Sequence, residues 1–140
     1  MAPKVMIVDD EEVIIRSLDT IFKRVGIETV GFTNPVEAVK QYHAHKTNIV
    51  LVDVLMPQMQ GNEVIKEIKK INPLCNIIVM TAFSKMEHVV ECIEAGAFDY
   101  ITKPFTDISI LLNIVKSAVE RVDRWYESFG LTSHTQKENY

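Results

Sequence analysis

Four short apolar runs that each end at a polar residue constrain the fold of this 140-residue chain most strongly. An apolar run of about four residues bounded by polar ones is typical of a strand buried on both faces, as in a parallel sheet. The runs are residues 5–8 before Asp9 and Asp10, 49–52 before Asp53, 77–80 before Thr81, and 100–102 before Lys103. Ligands of parallel sheets bind at the carboxyl ends of the strands. Three carboxylates, a hydroxyl and an ammonium are therefore predicted to meet in one crevice.

Between the runs, apolar residues recur at three- and four-residue spacings, which predicts helices with one buried face. In the first helix this face is Val13, Ile14, Leu18, Ile21, Phe22 and Val25. Strand and helix alternate five times, with a weaker helix over residues 84–95. Alternation of this kind predicts right-handed crossovers and helices on both faces of a parallel sheet. We expect a flavodoxin-like, doubly wound (βα)5 fold with strand order 2-1-3-4-5.

The last helix is predicted to be longer than the sheet requires. Its apolar positions continue from Ile108 to Phe129, about six turns, whereas strands of ordinary length need only about four. The core is not expected to account for the excess from Arg124 onward. We therefore divide the chain into a folded domain over residues 1–124 and a helical extension with a flexible polar tail over residues 125–140. A dimerising coiled coil and a helix folded back on its neighbour both fit this extension.

The composition excludes several classes of function. A formal net charge of −4 without a dense Lys or Arg patch argues against direct binding of nucleic acid. No apolar stretch approaches the roughly 18 residues of a membrane span, and the first run is too short for a signal peptide. Cys75 and Cys92 have no metal-ligand spacing and are expected to be reduced. A cytoplasmic protein is expected, without membrane contact.

The converging side chains suit a metal and a phosphoryl group. Three carboxylates at one edge repel one another unless a cation shares the site. Mg²⁺ prefers one or two carboxylates, other oxygens and waters, which Asp10 and Asp53 can supply with Asp9 in support. A carboxylate can also be the nucleophile that takes a phosphoryl group. Mg²⁺, the Thr81 hydroxyl and the Lys103 ammonium can each neutralise one oxygen of that group.

The motifs in combination are specific. They are VDD at residues 8–10, DVLMP at 53–57 with Gly61 following, TA at 81–82, and DYITKPF at 99–105. Over about residues 4–122 the chain resembles the receiver domain of response regulators in two-component signalling. The resemblance implies a phosphoacceptor at Asp53, a Mg²⁺ site that Mn²⁺ can also fill, phosphoryl-binding and switch residues, and a cis peptide. The implied metal ligands are Asp9, Asp10, Asp53 and the backbone carbonyl of Leu55, the switch set is Thr81, Ala82, Lys103 and Tyr100, and the cis bond precedes Pro104.

The resemblance also implies partners. A sensor histidine kinase or a phosphotransfer protein would supply the phosphoryl group, and a downstream protein or a covalently linked output domain would receive the signal. A homodimer through the fourth helix, fifth strand and last helix is a further candidate. Such a domain catalyses only its own phosphorylation and dephosphorylation, so we do not expect a conventional enzyme.

Three alternatives accompany this interpretation. A phosphate-independent interaction domain would usually lack part of the acidic, hydroxyl and ammonium set. An aspartate-nucleophile phosphatase needs a second Asp two residues after the first, where this chain has Leu55, and a flavin carrier needs a phosphate loop where this chain has acidic residues. Leu55 and Phe83 are either packing residues or apolar groups that hinder water and lengthen the life of an acyl phosphate.

Overall fold

A computed structural model describes residues 3–130, apart from the side chain of Phe83. The strands are β1 (Lys4–Val8), β2 (Glu28–Phe32), β3 (Ile49–Asp53), β4 (Asn76–Ala82) and β5 (Asp99–Lys103). The helices are α1 (Glu12–Lys23), α2 (Pro35–His45), α3 (Gly61–Ile71), α4 (Val89–Ala95) and α5 (Ile108–Ser128), with a 3₁₀ segment over Phe83–His88. Within the described residues, none of these helices combines the length and apolarity that a membrane crossing requires.

The sheet confirms the predicted fold class. All strand pairs are parallel, and the order is β2-β1-β3-β4-β5. Successive side chains of a strand point to opposite faces, so each buried strand feeds two cores. Met6, Val8, Val50 and Val52 pack with residues of α2 and α3 on one face. Val5, Ile7, Ile49 and Leu51 pack with residues of α1 and α5 on the other.

Side-chain caps start two helices where the sequence allows them. The Asn34 side chain accepts from the amides of Val36 at 2.9 Å and Glu37 at 3.3 Å, and Pro35 takes the first helical position. The Asp107 carboxylate accepts from the Ser109 amide at 3.0 Å. These bonds satisfy amides that have no partner within their helix.

The helix expected over residues 84–95 is shorter than predicted. Residues 83–88 form 3₁₀ turns that include a non-helical Lys85, and α4 itself spans seven residues. Among the described residues no side chain caps either segment, so a longer α-helix would lack this source of stabilisation at its start. Gly96, at a φ of +119°, ends α4 in the left-handed conformation that glycine adopts without strain.

The predicted apolar face of α1 is also too wide. Val13 is 64% exposed, and Val25, which lies two residues beyond the end of α1, is 51% exposed, whereas Leu18 and Phe22 are fully buried. Val13 lies one helical turn before Ser17, whose hydroxyl donates to the Val13 carbonyl, and therefore lies on the polar side of the helix. Fewer apolar residues of this segment reach the core than the sequence pattern predicted.

The end of α5 packs on the domain, contrary to the expectation that the core stops at Arg124. Tyr126 is 4% exposed, and its hydroxyl donates to the Asn48 side-chain oxygen at 2.9 Å. The Trp125 and Phe98 rings lie 5.4 Å apart between centroids. The boundary at residues 124 and 125 stays a prediction, and the predicted flexible tail over residues 131–140 lies outside the described residues.

The Tyr126 hydroxyl is predicted to stabilise the domain. Tyr126→Phe removes a buried hydrogen bond without changing the ring, so the free energy of unfolding should fall by about 1 kcal/mol. Urea unfolding measures this change. Tyr100→Phe is the control because Tyr100 is 40% exposed. Equal stability of the two variants would contradict the prediction.

Candidate metal centre

Strand register brings the predicted site residues to one edge of the sheet. Val8 of β1 pairs with Val52 of β3, so Asp9 and Asp53 follow neighbouring positions of adjacent strands. Carboxylate oxygens of Asp9, Asp10 and Asp53 lie within 4.8 Å of one another. The predicted convergence of the three carboxylates is therefore present in the structure.

Lys103 is the positive charge of this cluster. Its ammonium lies 2.6 Å from Asp9 Oδ2 and 3.5 Å from Asp53 Oδ2. Both carboxylates are buried, with Asp9 fully enclosed and Asp53 8% exposed, whereas Asp10 is exposed. Three carboxylates and one ammonium leave two formal negative charges at this edge.

Backbone amides orient the two buried carboxylates. Asp9 Oδ1 accepts from the Glu11 amide at 2.8 Å, and Asp53 Oδ1 accepts from the Val54 amide at 2.8 Å. In each residue the other oxygen is the one that faces Lys103. The roles of Glu11 and Val54 were not predicted, since an amide donor carries no signature in residue type.

Burial dominates the electrostatics of the carboxylates. It raises the pKa of Asp53 to about 6, the charges of Asp9 and Asp10 add to this effect, and Lys103 and the Val54 amide oppose it. Burial also raises the pKa of Asp9, although Lys103 and the Glu11 amide partly offset the rise. The site therefore favours an additional cation, which would lower the cost of keeping both carboxylates ionised.

Burial acts in the opposite direction on Lys103. It would lower the pKa of the ammonium, but the hydrogen bond to Asp9 and the charges of Asp53 and Asp9 outweigh it, so the pKa is raised. Lys103 therefore stays charged at neutral pH. The positive charge in the cluster is a permanent one.

Thr81, Ala82 and Tyr100, the other predicted switch residues, differ in burial. Thr81 is fully buried near the end of β4, and its hydroxyl donates to the Ala82 carbonyl at 3.0 Å. Ala82 pairs in register with Lys103, and the peptide between Lys103 and Pro104 is cis. Tyr100 is 40% exposed on β5 and does not join the buried cluster.

Leu55 and Phe83 were predicted to be either packing residues or groups that lengthen the life of an acyl phosphate, and the structure describes the side chain of Leu55 alone of the two. Leu55 is half-buried and packs against the core on the α3 side of the sheet, which agrees with the packing interpretation. The side chain of Phe83 lies outside the described part of the chain, and its backbone starts the 3₁₀ segment. The position of Leu55 leaves its effect on water a prediction.

The donor set fits a hard divalent cation. The three clustered ligand groups are carboxylates, and oxygen donors suit Mg²⁺ and Mn²⁺, whereas sites that contain Cys or His favour softer metals. The two uncompensated formal charges agree with this assignment. Asp9, Asp10 and Asp53 are thus the residues that can hold a metal here.

Comparisons with known proteins agree with this geometry. The CheY chemotaxis protein of Thermotoga maritima is 44% identical over 106 residues, which are 75% of this chain and 88% of that protein. The regulatory protein AtoC of Escherichia coli is 37% identical over 117 residues, 84% of this chain but only 25% of AtoC. A CheY-like receiver domain protein from Methanospirillum hungatei superposes with a TM-score of 0.78 at 27% identity, over 86% of this chain and 97% of that one.

The family model described as the response regulator receiver domain matches residues 5–116, most of the chain. That segment contains the five strands apart from Lys4, the three carboxylates of the acidic cluster, and Lys103. The chain therefore belongs to the response regulator receiver domain family of two-component signal transduction.

Proposed function

We propose that Asp53 accepts a phosphoryl group from a sensor histidine kinase or a phosphotransfer protein. Receiver domains are signalling domains rather than conventional enzymes, and this chain shares that general role. The observation that carries the proposal is the position of Asp53, buried at the end of a central strand beside Asp9, Asp10 and Lys103. The Val54 amide holds one oxygen of Asp53, which orients the other for attack.

The metal in this proposal is Mg²⁺, for which Mn²⁺ can substitute. Asp9, Asp10, Asp53 and the backbone carbonyl of Leu55 would hold it. The bound ion supplies positive charge for one phosphoryl oxygen. Support comes from the oxygen ligands within 4.8 Å of one another and from the excess negative charge of the cluster.

The proposed transfer forms one bond and breaks another. An Asp53 carboxylate oxygen attacks the phosphorus, the bond from phosphorus to the donor's imidazole nitrogen breaks, and that nitrogen keeps the electron pair. Lys103 neutralises one of the oxygens, since its ammonium is already 3.5 Å from Asp53. The Thr81 hydroxyl, together with Ala82 beside it, binds another after it leaves the Ala82 carbonyl.

The proposed output is a change of surface. Movement of Thr81 toward the phosphoryl group would open space for the Tyr100 ring, which is exposed here. Tyr100 and Ile110 line one pocket, and further exposed apolar side chains lie on α4, on α5 and just before β5, namely Val90, Ile93, Phe98 and Ile108. A downstream protein, a covalently linked output domain or a second copy of the chain would bind there.

Relatives of two lengths support different outputs. CheY of Thermotoga maritima is matched over most of its length, which favours action through a separate protein. AtoC is matched over a quarter of its length, which favours a linked output domain. We extend the proposal to a cytoplasmic location, in which such a kinase and its target are both accessible.

The alternatives receive less support. A phosphate-independent receiver does not need the complete set of three carboxylates, hydroxyl and lysine that this site contains. An aspartate-nucleophile phosphatase would need a carboxylate where Leu55 stands. Leu55 and Phe83 as apolar groups that prolong the acyl phosphate stay part of the proposal.

Phosphorylation at Asp53 is tested by intact mass. We expect wild type incubated with acetyl phosphate and Mg²⁺ to gain the mass of one phosphoryl group, and Asp53→Asn to gain none, because an amide cannot form the acyl phosphate. Asp107→Asn is the matched control, since it changes an exposed Asp and keeps a capping side chain. An adduct on Asp53→Asn would contradict the assignment.

Asp53 also makes the stability of the metal-free protein depend on pH. Because its pKa is raised to about 6, the folded state holds this proton more tightly than the unfolded state. The stabilising contribution is complete below about pH 4 and is lost as the pH rises through about 6. Asp53→Asn should therefore be more stable than wild type at about pH 8, by roughly 2 to 3 kcal/mol, and the difference should vanish toward about pH 4.

Urea unfolding in a chelator at several pH values measures this difference. Asp107→Asn should show no such gain, because the pKa of Asp107 is lowered by its hydrogen bonds to Ser109. A less stable Asp53→Asn variant at high pH would show that burial does not govern this carboxyl group.

Removal of Lys103 should have opposite effects on metal binding and transfer. Lys103→Met deletes the ammonium that lies 2.6 Å from Asp9, so Mg²⁺ should bind about tenfold more tightly. Phosphorylation should slow by roughly 100-fold because the ammonium that would neutralise one phosphoryl oxygen is lost. Calorimetry and adduct formation over time measure the two effects.

Lys116→Met is the control for this pair of measurements because Lys116 is exposed on α5. It should change neither the affinity nor the rate. Weaker Mg²⁺ binding by Lys103→Met would mean that the ammonium organises the ligands instead of competing with the metal.

A further inference from the structure

Gly61, the buried first residue of α3, is a glycine for reasons of space. Its φ lies outside the left-handed region, so its backbone conformation suits any residue. Helix propensity alone would favour alanine there. A Cβ at this position, however, would lie 2.4 Å from the Asp53 carbonyl oxygen and 3.1 Å from the Val54 Cα.

The atoms that a Cβ would meet cannot rotate away, because they belong to the backbone that follows the acceptor. The Val54 amide donates to Asp53 Oδ1 at 2.8 Å and to the Met80 carbonyl at 3.2 Å. The Val54 carbonyl in turn accepts from the Gly61 amide at 2.8 Å. The close approach of Gly61 therefore bears directly on the peptide that orients the Asp53 carboxylate.

Both sides of this contact are held in place. Asp53 ends the central strand β3, whose five residues are all buried. On the other side, α3 is anchored by the fully buried Val64, Ile65 and Ile68. An added methyl group would have to move one side from 2.4 Å to about 3.4 Å, where ordinary contacts begin. The backbone that such a shift would displace is that of Asp53 and Val54, and it runs directly into Leu55.

We propose that Gly61 is a positioning residue for Asp53 and for the backbone carbonyl of Leu55. The missing side chain lets α3 approach the peptide between Asp53 and Val54, and this approach sets the geometry of the oxygens that would hold the metal. The proposal rests on the proposed function of the site. Mg²⁺ demands near-ideal octahedral geometry, whereas Ca²⁺ accepts flexible arrangements, so a small shift should affect Mg²⁺ more strongly.

The test compares the metal affinities of Gly61→Ala and wild type by calorimetry with Mg²⁺ alone and with Ca²⁺ alone. We expect Mg²⁺ affinity to fall about tenfold or more and Ca²⁺ affinity to change by less than about threefold. Adduct formation with acetyl phosphate should slow in parallel with the loss of Mg²⁺ affinity. If Gly61 had a merely structural role, the affinities for Mg²⁺ and Ca²⁺ would fall equally.

Gly26→Ala is the matched control. Gly26 has a φ of +79° and no neighbour within 4 Å of its Cβ position, so alanine introduces backbone strain without a clash. It precedes β2, at the amino ends of the strands and away from the site. This variant should lose stability and keep the Mg²⁺ affinity of wild type.

The remaining outcomes are also decisive. Mg²⁺ affinity of Gly61→Ala within about twofold of wild type would overturn the role of Gly61 and leave the proposed function intact. If Gly61→Ala folds poorly, sucrose can be added to all samples, because excluded osmolytes favour the folded state. Failure to fold even then would also overturn the proposal, since the contact would serve the fold and not the site. Wild type that takes neither Mg²⁺ nor an adduct would refute the proposed function itself.

Discussion

The repulsion among Asp9, Asp10 and Asp53 is the constraint on which the rest of this structure depends. Their oxygens lie within 4.8 Å of one another, and burial raises the pKa of both Asp9 and Asp53. The carboxylates stay together because β1 and β3 are paired in register and buried between two layers of helices. Burial of apolar surface, at about 25 cal/mol per Å², offsets the cost of the charges. The protein thus keeps an edge that favours the arrival of a cation.

Lys103 relieves this repulsion only in part. It lies closer to Asp9 than to Asp53, and two formal negative charges remain. Thr81 and Tyr100 are not engaged with the cluster, since the Thr81 hydroxyl donates to a neighbouring carbonyl and Tyr100 is exposed. A phosphoryl group would give Lys103 and Thr81 a common partner, which couples the charge at Asp53 to the surface around Tyr100.

A stabilising hydrogen-bond network and the candidate metal centre lie at opposite ends of the strands. At the amino ends, the Asn48 side-chain oxygen accepts from both Tyr126 and Asn72, and Asn72 also donates to the Tyr42 hydroxyl. This partly buried network joins α5 to the rest of the domain. Burial raises the pKa of Tyr42, so its hydroxyl stays protonated as a donor to the Thr47 carbonyl. The carboxyl ends can therefore carry unfavourable charge without loss of the fold.

By itself the sequence determined the buried strands and the convergence of Asp9, Asp10, Asp53 and Lys103, because apolar runs bounded by polar residues specify buried strands and the carboxyl ends of parallel strands lie at one edge of the sheet. The strand order was the leading choice for five alternating strands and rested in part on the resemblance to receiver domains. Helix starts at Asn34 and Asp107 were equally readable, since capping is local. Only the tertiary structure decided three features. They are the hydrogen bonds that the Glu11 and Val54 amides donate to the carboxylates, the exposure of Val13 and the burial of Tyr126. These features depend on which surfaces meet, and residue type along a single chain does not encode the direction from which a backbone or a helix approaches.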